Sequence, residues 1–124
     1  MKLQKELVRE ILLKLEADEG RPDGWKNIEV SGFTWEQVAY HICILNEGGL
    51  VEATDLTTTD GFDWRASRLT YSGHEFVDTV RDGEVWRKTK DFANKAGVYS
   101  LQALLEAGKM VLKQELSKHG VPMS

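Results

Sequence analysis

Hydrophobic residues recur every three or four positions in five stretches of the chain, and two strand-like runs lie between the second and third of these stretches. Leu3, Leu7, Ile11 and Leu15 share one face at this spacing, with charged residues between them. They predict a first amphipathic helix, which the glycines and the proline of residues 20–24 bring to an end.

A second helix is predicted from Thr34 to the glycine pair Gly48-Gly49. Thr34 and Gln37 have the spacing of a capping box at a helix start. Five residues share one face of this helix and are expected to be buried: Trp35, Val38, Ala39, Ile42 and Leu45. The outward positions are then Glu36, Gln37, Tyr40, His41, Ile44 and Glu47.

Two strand-like runs, residues 50–57 and 64–70, flank the polar turn Asp60-Gly61 and predict a β-hairpin. A shorter alternating run before the second helix, residues 28–32, predicts a short strand or an extended segment. After the hairpin, Ser72 and Glu75 repeat the capping-box spacing and predict the start of a third helix.

Two more helices follow the break at Asp82-Gly83, and Ser100 is the expected cap of the last one. An apolar stripe runs along this last helix and consists of Leu101, Leu104, Leu105, Leu112 and Leu116. Two interpretations remain open. Residues 100–118 form a homodimer interface, or the stripe packs back onto the first helix and Trp86 of the same chain.

This order of elements predicts an α+β fold. A helix, a hairpin and another helix in succession form the second half of a winged helix. We therefore predict one domain over residues 1–124, with a winged-helix core at 1–82 and a two-helix C-terminal extension at 83–124. The segment between Gly20 and Phe33 is short for the helix that a winged helix usually has there, so that helix either shrinks to a turn or is replaced by the short strand.

Two motifs carry a family resemblance. The pattern Y-H-x-x-x-L-x-x-x-G-L is matched from Tyr40 to Leu50, and R-L-T-x-x-G-H-E-F-x-D from Arg68 to Asp78, with Trp86 and Lys90 following. The chain resembles a family of short bacterial and phage-encoded proteins, classed as a domain of unknown function and often found in prophages. The hairpin part is also similar to winged-helix regulators of the multiple-antibiotic-resistance type. The resemblance implies a winged helix and a mobile-element origin, but no established activity.

Charge is unevenly distributed along the chain, although the net charge is only −4. Residues 16–63 contain eleven acidic and two basic residues, whereas residues 84–124 contain seven basic and four acidic residues. The acidic part includes the second helix and the first strand and turn of the hairpin, and the second helix and the hairpin are the elements that a winged helix brings to DNA. Because like charges repel, this part of the chain opposes contact with phosphate.

We therefore predict a non-catalytic module that binds another protein, with a basic surface, as an accessory factor of a phage or prophage. Its predicted contact residues lie on the acidic helix and the hairpin and are Glu36, Tyr40, Ile44, Glu47 and Trp64. The alternative is a DNA-binding transcriptional regulator of a mobile element. Its nucleic-acid contacts would be Arg65, Arg68, Lys88 and Lys90.

Catalytic and ligand-binding motifs are not found in the sequence. His41, Cys43 and His74 do not have the spacing of a zinc site, and Gly48-Gly49 ends a helix rather than opening a phosphate-binding one. We therefore predict no enzyme activity, no cofactor and no metal. No apolar run approaches the roughly 20 residues of a membrane span, and the first residues lack a signal-peptide pattern, so we expect a cytoplasmic protein that does not enter a membrane.

Overall fold

The computed structural model of the protein describes residues 1–97 and 100–120. Within these ranges the fold is a mixed α+β fold of five helices and one two-stranded antiparallel hairpin. The elements are α1 (Lys5–Ala17), α2 (Trp35–Glu47), β1 (Val51–Asp55), β2 (Trp64–Leu69), α3 (Tyr71–Val80), α4 (Gly83–Lys95) and α5 (Leu101–Lys118). The predicted order of helices and hairpin is confirmed. None of the helices in the described ranges has the length and apolar content that crossing a membrane requires.

Helix α1 packs into the centre of the fold through one apolar face. Its buried residues are Leu7, Val8, Ile11, Leu12 and Leu15. On its flank, the Arg9 guanidinium donates hydrogen bonds of 2.9 Å to the backbone carbonyls of Val80 and Arg81, where a cation is favourable because α3 ends there. The same hydrophobic cluster includes Trp86 of α4 and Leu104 of α5, so the two C-terminal helices share a core with the rest of the fold.

Helix α2 begins at the predicted capping box. The Thr34 hydroxyl accepts the Gln37 N–H at 3.2 Å, and the Gln37 side chain accepts the Thr34 N–H at 2.8 Å. At the other end Gly49 has φ = +77°, which lets the chain turn directly into β1. Trp35, expected to be buried, is only half-buried, because it lies in the first turn of α2 beneath the Arg65 guanidinium.

The hairpin pairs β1 with β2 from Val51 opposite Leu69 to Asp55 opposite Trp64, with a bulge in β2 at Ser67, which lies between the partners of Glu52 and Ala53. Thr58 and Gly61 form a further bridge near its tip, in agreement with the predicted turn. Residues 28–32 do not form a strand. The segment before them is joined to the free edge of β2 by one hydrogen bond of 2.9 Å, from the Lys26 N–H to the Ala66 carbonyl.

The start of α3 is determined by Thr70 rather than by Ser72. The Thr70 hydroxyl accepts the Gly73 N–H at 3.1 Å, while the Thr70 N–H donates to the Leu50 carbonyl at 3.0 Å. A Cβ at Gly73 would lie 2.1 Å from the Leu50 carbonyl oxygen, so this approach requires glycine. The predicted capping box of Ser72 and Glu75 is wrong, because Thr70 already caps the helix and both residues lie exposed on its surface.

Helices α4 and α5 begin at the predicted break and the predicted cap. Asp82 accepts the first N–H groups of α4, and the Ser100 hydroxyl accepts the Ala103 N–H at 3.1 Å. Helix α5 packs against α4 and passes close to α3 at Gly108. The predicted leucine stripe of α5 is divided by this packing. Two of its members are buried, Leu101 and Leu104, and three are half-buried, Leu105, Leu112 and Leu116.

Candidate protein-binding surface

The candidate site is the outer face of α2, which comprises Glu36, Tyr40, Cys43, Ile44 and Glu47. The apolar face of the helix is buried, so these residues are on the side turned away from the core. Glu36 and Glu47 are exposed, whereas the three residues between them are half-buried. The helix contains no lysine or arginine. The outer face therefore combines apolar surface with negative charge only.

His41, predicted to point outward, is fully buried. Its Nδ1 lies 2.7 Å from the Gln37 carbonyl oxygen, and its Nε2 accepts the Gln4 N–H at 2.8 Å. These partners require the neutral imidazole with its hydrogen on Nδ1. Burial lowers the pKa of His41, although the hydrogen bond to Gln37 opposes this effect. The helical period predicted an outward His41 because His41 is polar. In the structure His41 points inward and accepts a backbone N–H at the start of α1.

The pKa of Cys43 on the outer face is raised by burial and by the negative charge around it. Its thiol donates a hydrogen bond of 3.3 Å to the Glu47 carboxylate. Burial, this hydrogen bond, and the negative charges of Glu47 and Asp55 together raise the pKa of Cys43 to about 11. The thiol is therefore protonated at neutral pH, and the surroundings of this half-buried side chain disfavour a further negative charge.

The two glutamates of the outer face have no cationic partner among the described residues. Glu36 forms no ion pair or hydrogen bond through its side chain with the part of the chain that the structure describes, and Glu47 accepts only the Cys43 thiol there. Both carboxylates are open to solvent. They are consequently available to a cation from outside the molecule without first breaking an internal pair.

Trp64 lies beside this surface on the hairpin and is not part of the helix face. It is half-buried at the start of β2, opposite Asp55, whose charge acts on Cys43 of the outer face. Among the described residues the ring of Tyr40 contacts the ring of His41, with centroids 5.9 Å apart, and no ring contact joins Tyr40 to Trp64. The predicted contact residues thus form a helix stripe, with Trp64 beside it on the hairpin.

The two predicted DNA contacts of the hairpin are each paired with a carboxylate. The Arg65 guanidinium lies 3.1 Å from Asp63 and stacks over the Trp35 ring, with 4.7 Å between the guanidinium carbon and the ring centroid. Arg68 lies 3.6 Å from Glu52, its partner across the hairpin. Sequence reasoning missed the stack on Trp35, because nothing in the local pattern shows that this strand residue reaches the first turn of α2.

The two predicted DNA contacts of α4 are paired in the same way. Lys88 forms ion pairs with Glu84, at 3.6 Å, and with Glu115 of α5. Lys90 forms an ion pair with Glu6 of α1 and lies 5.5 Å from the centre of the Trp86 ring. These lysines therefore join helices within the fold, and using them to bind phosphate would mean breaking those contacts.

The chain matches other proteins over most of its length. Residues 2–99 match a family described as hypothetical protein (DUF2513). An uncharacterized protein of Haemophilus influenzae (strain Rd) is 36% identical over 123 residues, and the match covers 94% of this chain and 100% of that protein. No solved structure shows a significant match to the chain. The expected resemblance to a bacterial family of unknown function is thereby confirmed, and the chain belongs to the DUF2513 family of hypothetical proteins.

Proposed function

We propose that this protein is a non-catalytic module that binds a basic surface of another protein through the outer face of α2. The observation that carries the proposal is the pair Glu36 and Glu47, exposed at the two ends of a stripe whose middle is half-buried Tyr40 and Ile44. Neither carboxylate has a cation partner among the described residues. Interfaces favour such tyrosines, and complementary charge around them guides association with a partner.

We also propose that the core of the fold is a winged helix with a reduced middle helix. The order α1, α2, hairpin and α3 supports this interpretation, and so does the Lys26–Ala66 hydrogen bond, which brings a third segment to the free edge of β2. The Phe33 N–H donates to the Val30 carbonyl at 3.2 Å, and Gly32 has φ = +90°, so a turn stands where the middle helix would be.

The role as an accessory factor of a phage or prophage rests on the motif resemblance and on nothing in the fold. A basic partner suits this role, since proteins that act on nucleic acid carry basic surfaces. An acidic helix face that covers such a surface would compete with the nucleic acid for it.

The alternative function, regulation of transcription through DNA binding, has weaker support. The winged-helix order favours it, but Arg65, Arg68, Lys88 and Lys90 all have carboxylate partners. Neutralised cations release few counterions from DNA, so they contribute little to affinity. The helix that would enter the major groove carries only acidic charge.

The test is a comparison of two double variants with wild type in affinity capture from a bacterial host. Tyr40→Ala with Glu47→Lys alters the outer face of α2. Phe92→Ala with Glu106→Lys is the matched control, because it removes one exposed aromatic ring and reverses one exposed carboxylate on α4 and α5. We expect wild type and control to recover the same partner, and the α2 variant to lose it while melting at nearly the same temperature.

Two outcomes contradict the proposal. One is an identical set of partners for all three proteins. The other is a specific complex with DNA at low salt that Arg65→Ala or Arg68→Ala weakens, since that result would instead establish the alternative.

A further inference from the structure

A second apolar surface lies in a groove between α3 and α5, which begins beside the C-terminal end of α2 at Gly48. Leu50 and Phe76, both buried, form its floor. The groove has a volume of about 660 Å³. Its walls are the exposed side of α3 and the half-buried leucines Leu105 and Leu112 of α5.

The wall formed by α5 has the spacing of a helix-pairing seam. The residues on this line are separated alternately by three and four positions, and they are Gln102, Leu105, Lys109, Leu112 and Leu116. Leucines at such spacing pack against a neighbouring helix, and a lysine within the seam fixes register. Leu101 and Leu104 already fill the core side of α5, so this line is a separate apolar face of the helix.

The charges at the rim of the groove have opposite signs on its two sides. Glu75 and Asp78 stand on the α3 side, and Lys109 stands on the α5 side. Asp78 already forms an ion pair with Arg81 at 2.8 Å, whereas Glu75 pairs with no cation among the described residues. Within the same part of the chain, Lys109 reaches only Glu106 of its own helix, at 3.8 Å. The α3 wall is therefore complementary to a basic helix, and the α5 wall is complementary to an acidic one.

We propose that this groove binds α5 of a second copy of the chain, in a two-fold symmetric dimer. Helix α5 of the second copy supplies leucines seven positions apart and the lysine that suits the α3 wall, and α3 of that copy supplies the carboxylate that suits the α5 wall. In such a dimer Leu112 of one copy packs beside Phe76 of the other, and Lys109 of one copy faces Glu75 of the other. Because the same surface serves both copies, the contact closes on itself and stops at two chains.

The proposal is independent of the function proposed for α2, since the two surfaces share no residue. Its test is the mass of the full chain in solution, measured by light scattering and by sedimentation from micromolar to submillimolar concentration. We expect a dimer for wild type and a monomer for Leu112→Glu. Met110→Glu is the matched control on the same helix, because Met110 is exposed outside the groove, and it should remain dimeric.

A charge exchange keeps the test decisive if Leu112→Glu unfolds the chain. Glu75→Lys places two lysines opposite each other and should weaken the dimer at least tenfold. Adding Lys109→Glu to the same chain restores opposite charges and should restore the dimer. A chain that is monomeric throughout the concentration range overturns the proposal, because the groove then does not bind a second copy. A dimer that neither Leu112→Glu nor Glu75→Lys weakens overturns it as well.

Discussion

The two faces of α2 have opposite relations to the rest of the molecule. On the inner face every side chain has a partner: Ile42 and Leu45 are fully buried, and His41 bonds the backbone at the start of α1. On the outer face the exposed carboxylates of Glu36 and Glu47 meet no cation among the described residues. The inner face accounts for folding, so a function carried by this helix has to lie on the outer one.

Most residues of the two family motifs that the structure explains contribute to folding, as the inner face of α2 does. His41, Gly49, Leu50, Thr70 and Gly73 form the junction between α1, α2, β1 and α3. Each is explained by a backbone contact or a turn. The signature therefore identifies an architecture, and it does not by itself identify a binding site.

The largest expected effect is a difference between two isoleucines of α2. Ile42 is fully buried and Ile44 is half-buried on the outer face. Ile42→Ala should lower the free energy of unfolding by roughly 2–5 kcal/mol, because it leaves a cavity in the core, whereas Ile44→Ala should cost about 1 kcal/mol. Urea denaturation measures both. Equal losses would mean that the two faces are not distinct.

The next effect concerns two glycines at the starts of neighbouring helices. Gly73→Ala should lower the free energy of unfolding by roughly 1–3 kcal/mol, because the new Cβ collides with a backbone carbonyl that cannot move independently. Gly83→Ala is the matched control, since a Cβ there meets nothing within 4 Å. It should be neutral or slightly stabilising. A Gly73→Ala variant as stable as Gly83→Ala would contradict the close approach of α3 to β1.

The elements that sequence could predict are those whose signals are local. Thr34 and Ser100 cap helices within three residues of themselves, so local spacing predicted them, although the same spacing at Ser72 predicted a cap that Thr70 provides instead. Gly73 and His41 could not be predicted in the same way. The carbonyl that excludes a side chain at Gly73 belongs to Leu50, and the N–H that His41 accepts comes from Gln4, 37 positions away.

The candidate site shows the same limit. The helical period correctly predicted that Glu36 and Glu47 are exposed, because exposure follows from the face of one helix. It could not show that the predicted DNA contacts are neutralised. Lys90 pairs with Glu6 and Lys88 with Glu115, and each of these carboxylates comes from another helix that only the tertiary fold brings near.

A smaller effect follows from the neutral state of His41. Because its pKa in the folded protein is lowered, mainly by burial, from the ordinary value of 6.5, the unfolded chain takes up the proton first as pH falls. The contribution of the neutral His41 to the free energy of unfolding is fully present above pH 6.5. It is lost as pH falls from 6.5 through the lowered pKa, with a slope of at most about 1.4 kcal/mol per pH unit.

Urea denaturation at several pH values below neutrality checks this dependence. His41→Gln should remove it, since an amide oxygen can still accept the Gln4 N–H but does not titrate in this range. His74→Gln, at an exposed histidine, should retain it. If wild type and His41→Gln lose stability in parallel between neutral pH and the carboxylate range, the buried neutral imidazole is not the cause.

The smallest effect is on the outer face and concerns the reactivity of Cys43. Burial makes the first contribution to its raised pKa and remains in every variant, while the hydrogen bond to Glu47 and the charge of Glu47 come next. Glu47→Gln should therefore lower the pKa in part and raise the alkylation rate at mildly alkaline pH severalfold, because the thiolate is the reactive form. That gain corresponds to less than about 1.4 kcal/mol, the equivalent of a tenfold change.

Glu36→Gln is the control and should leave the rate unchanged, since Glu36 does not contribute to the shift. An unchanged rate in Glu47→Gln would remove the electrostatic argument for a basic partner, because the same negative field has to act on the thiol and on any cation that binds this face.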